Sequence, residues 1–120
     1  MRPLTESRVA PARDLVGRDV HDRDGERLGA LVDFAIDLDP VRIGYAVLSF
    51  GGFRHGGEKL FALPPRSLAF DSRAELFRVD VARSVLKNAP GFDRRDWPDM
   101  SDREWGARVY NHYGFTPYWE

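Results

Sequence analysis

The sequence contains no cysteine. This absence excludes disulfide bridges, thiolate metal sites and a cysteine nucleophile, and it leaves the redox compartment open. No stretch approaches the ~20 consecutive apolar residues of a membrane-spanning helix, and the first residues lack the apolar segment of a signal peptide. We therefore expect a cytoplasmic protein without a membrane span.

An excess of charge of either sign is also missing. Eighteen basic residues face nineteen acidic ones, the net charge is −1, and the charges are spread along the chain without blocks. Binding to nucleic acid or to an anionic membrane needs clustered cations. A nucleic-acid partner is therefore not expected.

Catalytic and metal-binding motifs are absent as well. The three histidines do not show metal-ligand spacing, and no serine lies in a G-x-S-x-G turn. Asp33, Asp37 and Asp39 form an acidic row that could bind a cation, but a solvated sheet face is the favoured interpretation. We predict no catalytic residue, no metal site and no cofactor, and hence a protein that is not an enzyme.

The glycine-rich stretch "GGFRHGGEK" is the segment that looks most like a nucleotide site. A phosphate-binding loop requires the spacing G-x-x-x-x-G-K-[ST]. Counted from Gly51, the second glycine is Gly56, but Gly57 occupies the lysine position. Counted from Gly52, the second glycine is Gly57, and Glu58 follows it. We therefore predict that Gly51, Gly52, Gly56 and Gly57 form a structural loop between two strands.

Alternating hydrophobicity predicts several short strands. In "LGALVDFAIDLD", starting at Leu28, the even-numbered positions are all apolar, which predicts one apolar face along a long strand. "DRDG" predicts a hairpin turn before it, and Pro40 suits the second residue of a type I turn after it. Further strands are predicted around Val20 and in "RIGYAVLSF", "KLFAL" and "ELFRVDV". Short strands with tight turns favour a small antiparallel barrel, whose closure removes sheet edges.

These segments together resemble the PRC-barrel family. The resemblance is carried by "DLVGRDVHDRDGERLGALVDFAIDLDPVRIGYAVLSFGGF", "GEKLFALP", "LKNAPGFDRRDWPDM", "YG" and "YW", and it covers about residues 14–119. It implies a small, strongly bent antiparallel sheet that closes into a barrel, and a role in docking partners. The module also occurs in the photosynthetic reaction-centre H subunit and the ribosome maturation factor. The membrane helix of the former and the N-terminal domain of the latter have no counterpart in this sequence.

Aromatic residues are concentrated towards the C-terminus, where eight of the fifteen follow residue 91. "MSDREW" predicts a helix start in which Ser101 is the cap, Glu104 completes a capping box and Met100 packs on Trp105. Gly114 predicts the end of this helix. Four aromatic residues lie at or after the helix end and are predicted to leave the helix and form a partner interface: Tyr113, Phe115, Tyr118 and Trp119.

The expected architecture is mainly β, with a flexible lead-in at residues 1–13, a PRC-barrel domain at 14–90, and a C-terminal helix and aromatic tail at 91–120. The tail packs on the barrel or on a partner. The expected function is a non-enzymatic adaptor or protein-binding module that forms a homodimer, with a heterologous protein partner as a further option. An RNA or ribosome assembly factor is one alternative, which the balanced charge disfavours. A small-ligand-binding barrel is another, which is disfavoured because side chains fill a barrel of this size.

Overall fold

The computed structural model describes residues 9–50 and 59–120. Its strands are β1 (Asp19–His21), β2 (Arg27–Leu38), β3 (Val41–Phe50), β4 (Lys59–Leu63), β5 (Leu68–Asp71), β6 (Leu76–Val79) and β7 (Phe92–Asp93). Its helices are α1 (Ala12–Leu15), α2 (Arg83–Lys87) and α3 (Arg103–His112), and a 3-10 turn spans Pro65–Ser67. The protein is mainly β, as the alternating pattern predicts. None of the described helices is long and apolar enough to cross a membrane.

The seven strands of the described residues belong to one strongly curled sheet with the order β5-β6-β1-β2-β3-β4-β7. Neighbouring strands are antiparallel except for β1 and β6, which run parallel. Within the described residues the two end strands do not pair with each other, so the sheet forms a bent barrel that stays open. The predicted closure is wrong in this respect. The edges are instead kept short, with four residues in β5 and two in β7, which is another way to limit an exposed sheet edge.

The single apolar face predicted for β2 is also wrong. The pairing of β2 with β3 shifts register between Leu31 and Asp33, and again between Ala35 and Ile36. A one-residue irregularity moves the following side chains to the opposite face of the strand. Leu31, which precedes both shifts, lies in the core at 1% exposure although it belongs to the predicted polar face, whereas Leu38, which follows them, is 80% exposed.

Strands β2 and β3 extend beyond their neighbours and form a hairpin arm, which we define as residues 32–45. Backbone bonds from the β1 side reach no further than Leu31, and β4 pairs with β3 only from Ala46 onwards. Leu38 pairs with Val41 across the tip. Pro40 is therefore the third residue of the turn, and the predicted second position is wrong.

The hydrophobic core lies between the curled sheet and α3. Its sheet members are mostly aliphatic and fully buried, including Val20, Leu31, Leu48, Leu63 and Val79. Helix α3 adds Val109 and Tyr110, which are each 3% exposed. These two side chains of α3 thus cover the barrel of their own chain.

The C-terminal end of α3 matches the prediction, whereas its N-terminal cap differs from it. The N-cap is Asp102 rather than Ser101, because the Asp102 carboxylate accepts a hydrogen bond from the backbone N–H of Glu104 at 2.9 Å. At the other end, Gly114 follows the helix with a φ of 81°. That left-handed conformation suits glycine and confirms the predicted helix stop.

Helix α3 packs closely against the Tyr45 side chain of β3 at Gly106. A Cβ atom at this position would lie 2.2 Å from the Tyr45 hydroxyl and 2.7 Å from the Trp119 ring. The missing side chain therefore lets the helix, the sheet and the C-terminal tail meet.

We expect Gly106→Ala to destabilise the fold by about 1–3 kcal/mol, because overpacking outweighs the gain of about 1 kcal/mol in helix propensity. Urea denaturation measures the change. The control is Asn111→Ala at an exposed position of the same helix, which should be neutral or slightly stabilising. A stabilised Gly106→Ala variant would contradict the close approach.

Candidate functional site

One face of the arm is aliphatic and open to solvent. The strand register places Ile36 opposite Ile43 and Leu38 opposite Val41, and directly opposed side chains lie on the same face of a sheet. Their exposed fractions are 46% for Ile36, 39% for Ile43, 80% for Leu38 and 78% for Val41. Together they present roughly 400 Å², comparable to the largest apolar patches on typical monomers. We call these four side chains the aliphatic face.

The other face of the arm is polar and is bound to the C-terminal part of the chain. Asp37 and Arg42 are opposed there. The Tyr118 hydroxyl donates to the Asp37 carboxylate at 2.5 Å, Arg103 Nη2 donates to it at 3.3 Å, and the Asp39 N–H donates at 3.1 Å. The Arg42 guanidinium lies 3.8 Å from the centre of the Tyr118 ring. We call Asp37, Arg42, Arg103 and Tyr118 the polar clamp.

The aromatic tail folds back on its own barrel. Tyr113 is buried, and Phe115, Tyr118 and Trp119 are partly buried against the core. The Trp119 ring lies 5.4 Å from the Tyr110 ring, and the Arg103 guanidinium lies 4.4 Å above it. The partner interface predicted for these four aromatics rested on a tail that leaves the helix, and the observed packing removes that reason.

A groove of about 260 Å³ separates the arm from the start of α3. It is lined by Ala35, Ile36, Asp37, Leu38, Asp39, Gly44, Tyr45, Met100, Ser101, Arg103 and Tyr118. The arm therefore does not pack continuously against the helix. Near its tip, the described contacts between the arm and the C-terminal part run through the polar clamp.

The remaining residues singled out from the sequence are placed as follows. Gly51, Gly52, Gly56 and Gly57 lie outside the described residues. The Asp33 carboxylate accepts a hydrogen bond from the Phe34 N–H at 2.8 Å, Asp37 belongs to the polar clamp, and Asp39 is exposed at the tip. In the described ranges, no group of three or more acidic or histidine side chains is placed to hold a metal ion.

The aliphatic face is not among the predicted sites, although the sequence carries a signal for it. In "IDLDPVRI", residues 36–43, a two-residue turn separates two pairs of aliphatic residues at alternate positions. Such a turn places all four side chains on one face of the hairpin. An apolar face of a strand is usually buried, so the pattern by itself does not indicate exposure.

Comparison with known proteins finds a match over most of the residues that form the sheet. A family model, the PRC-barrel domain, matches residues 8–86. The matched range contains β1 to β6 and the whole arm, and it ends before β7, α3 and the aromatic tail. No curated protein matches the chain.

The polar clamp predicts a dependence of stability on pH. The pKa of Asp37 lies below its ordinary value of 3.8, chiefly because the Tyr118 hydroxyl donates to the carboxylate. A carboxyl whose pKa is lowered on folding stabilises the protein above its unfolded pKa, and this contribution is lost as the pH falls through the folded pKa. We therefore expect Asp37→Asn to lose less stability than wild type on acidification from about pH 5 to pH 3. Thermal melts across this range test it, and parallel curves would contradict it.

A second prediction concerns Tyr113, whose buried hydroxyl has no hydrogen-bond partner among the described residues. Burial alone raises the pKa of this hydroxyl above its ordinary value of 10.0. Tyr113→Phe removes an unsatisfied polar atom and keeps the ring, so we expect a gain of about 1 kcal/mol in urea denaturation. The matched control is Tyr110→Phe, which should lose stability because the Tyr110 hydroxyl donates to the Gly44 carbonyl at 2.5 Å. Equal losses in both variants would contradict the prediction.

Proposed function

Because the chain belongs to the PRC-barrel family, we propose that it is a non-enzymatic protein-binding module that forms a homodimer through the aliphatic face of its arm. One observation carries the proposal. Four aliphatic side chains face solvent together on a projecting hairpin, and their exposed fractions range from 39% to 80%. An apolar patch of this extent on a soluble protein is typical of an interaction site.

A second copy of the chain is the occupant that the patch suits best. A two-fold axis sets the same apolar surface against itself, so that both patches are buried by one contact. The aliphatic faces would together bury roughly 800 Å², and flanking residues of the arm bring the area towards the ~1,200 Å² at the lower end of specific interfaces. This area favours a dimer of modest affinity that dissociates on dilution.

Contact through the face is favoured over pairing through the strand edge. The Asp33 carboxylate already accepts a hydrogen bond from the Phe34 N–H on β2. Acidic side chains along an unpaired strand edge also oppose the addition of a second, identical strand. The aliphatic face carries no such charge, because Asp37 and Arg42 lie on the opposite side of the arm.

We expect the double variant Leu38→Asp, Val41→Asp to be a folded monomer. Both side chains are more than three-quarters exposed, so carboxylates at these positions stay hydrated in the monomer and should not unfold it. They would lose their hydration only when two copies associate, which opposes dimerisation. Sedimentation equilibrium over a concentration series measures the oligomeric state. The control is Val9→Asp, at a site that is 91% exposed and lies outside the arm, which should dimerise as wild type does. A monomeric wild type, or a dimeric double variant, would contradict the proposal.

A further inference from the structure

We propose that Tyr118 is a positioning residue for docking: it holds the arm from its polar side and thereby sets how strongly the aliphatic face binds a second copy. The inference rests on the function proposed above for the arm. It adds a role for the C-terminal tail, which lies outside the matched PRC-barrel range.

The arm lacks support from neighbouring strands. Among the described residues, no strand pairs with the outer edge of β2 beyond Leu31, or with that of β3 before Ala46. A two-stranded hairpin on its own is only marginally stable in water. The orientation of the arm therefore depends on contacts made by its side chains and its backbone carbonyls.

These contacts lie at two places along the arm, one near its base and one closer to its tip. The Tyr110 hydroxyl donates to the Gly44 carbonyl near the base of the arm. Closer to the tip, the centre of the Tyr118 ring lies 3.8 Å from the Arg42 guanidinium and 5.8 Å from that of Arg103, while the Tyr118 hydroxyl donates to Asp37. Tyr118 thus contacts both strands of the arm and also α3.

The arm and the start of α3 are separated by open space. The 260 Å³ groove lies between the arm and the residues that lead into α3. No described side chain fills this space, so packing does not fix the distance between the tip of the arm and the start of the helix. Charge-assisted hydrogen bonds are directional, and those that Tyr118 and Arg103 donate to Asp37 fix that distance.

The polar clamp and the aliphatic face are connected through the backbone of the arm. Asp37 follows Ile36 in β2, and Arg42 precedes Ile43 in β3, so the clamp and the face are two sides of the same backbone. A change in the orientation of one side moves the other. Apparent affinity falls in proportion to the fraction of molecules in the binding-competent orientation.

The test uses Tyr118→Phe, which keeps the ring beside the Arg42 and Arg103 guanidinium groups and removes only the hydroxyl. We expect faster amide hydrogen exchange confined to residues 32–45, and a dimer dissociation constant raised about three- to tenfold. Tyr113→Phe is the matched control. It removes a hydroxyl from the same segment, and that hydroxyl has no hydrogen-bond partner among the described residues. It should change neither quantity.

A double-mutant cycle separates positioning from a general loss of stability. In an Asp37→Ala background the hydroxyl of Tyr118 has lost its acceptor, so Tyr118→Phe should no longer affect exchange or affinity. Unchanged exchange in the single Tyr118→Phe variant, or equal effects in both backgrounds, would overturn the inference.

The same exchange measurement on the Leu38→Asp, Val41→Asp variant tests the arm without dimerisation. Faster exchange on adding Tyr118→Phe supports the positioning role, and unchanged exchange overturns it. A wild-type chain that never dimerises overturns the proposed function, and the exchange result then decides the role of Tyr118 by itself.

Discussion

Strands β2 and β3 outrun the strands beside them, and this mismatch in length governs how the rest of the described chain is arranged. Twelve residues in β2 meet only three in β1, and ten in β3 meet five in β4. The part of the hairpin that extends past the sheet must find its contacts elsewhere. Its polar side finds them in α3 and the tail, whereas its aliphatic side stays largely open to solvent among the described residues.

The contacts on the polar side combine weak interactions into a network. An isolated surface ion pair contributes little to stability, and the Arg103 side chain is 49% exposed in its pair with Asp37. Here the Asp37 carboxylate also accepts from Tyr118, while Arg103 stacks over Trp119. The rings of Tyr110, Tyr118 and Trp119 lie 4.9 to 5.8 Å apart. Each group orders its neighbours, so the conformational entropy lost per contact is smaller than in separate pairs.

Local patterns predicted the local features of this fold. A period of two identified β2, β3 and β4, and glycine chemistry identified the end of α3. Features that depend on a distant partner could not be predicted in this way. The register shifts at Leu31 and Ala35 require knowledge of β3, and the bond between Asp37 and Tyr118 joins residues 81 positions apart. Competing signals explain the cap of α3, since Ser101 and Asp102 are both good N-cap residues and only the observed geometry separates them.

The placement of the tryptophans has a spectroscopic consequence. All three of them, Trp97, Trp105 and Trp119, follow the last residue of the matched PRC-barrel range. Trp105 lies 5.1 Å from Tyr45 on β3, and Trp119 lies beneath the Arg103 guanidinium. Intrinsic tryptophan emission therefore reports how the C-terminal segment sits on the sheet, while the barrel itself contributes no fluorophore of this kind. Emission and backbone circular dichroism follow two different parts of the molecule, and any difference between their unfolding curves measures how far the attachment of the segment is coupled to the sheet.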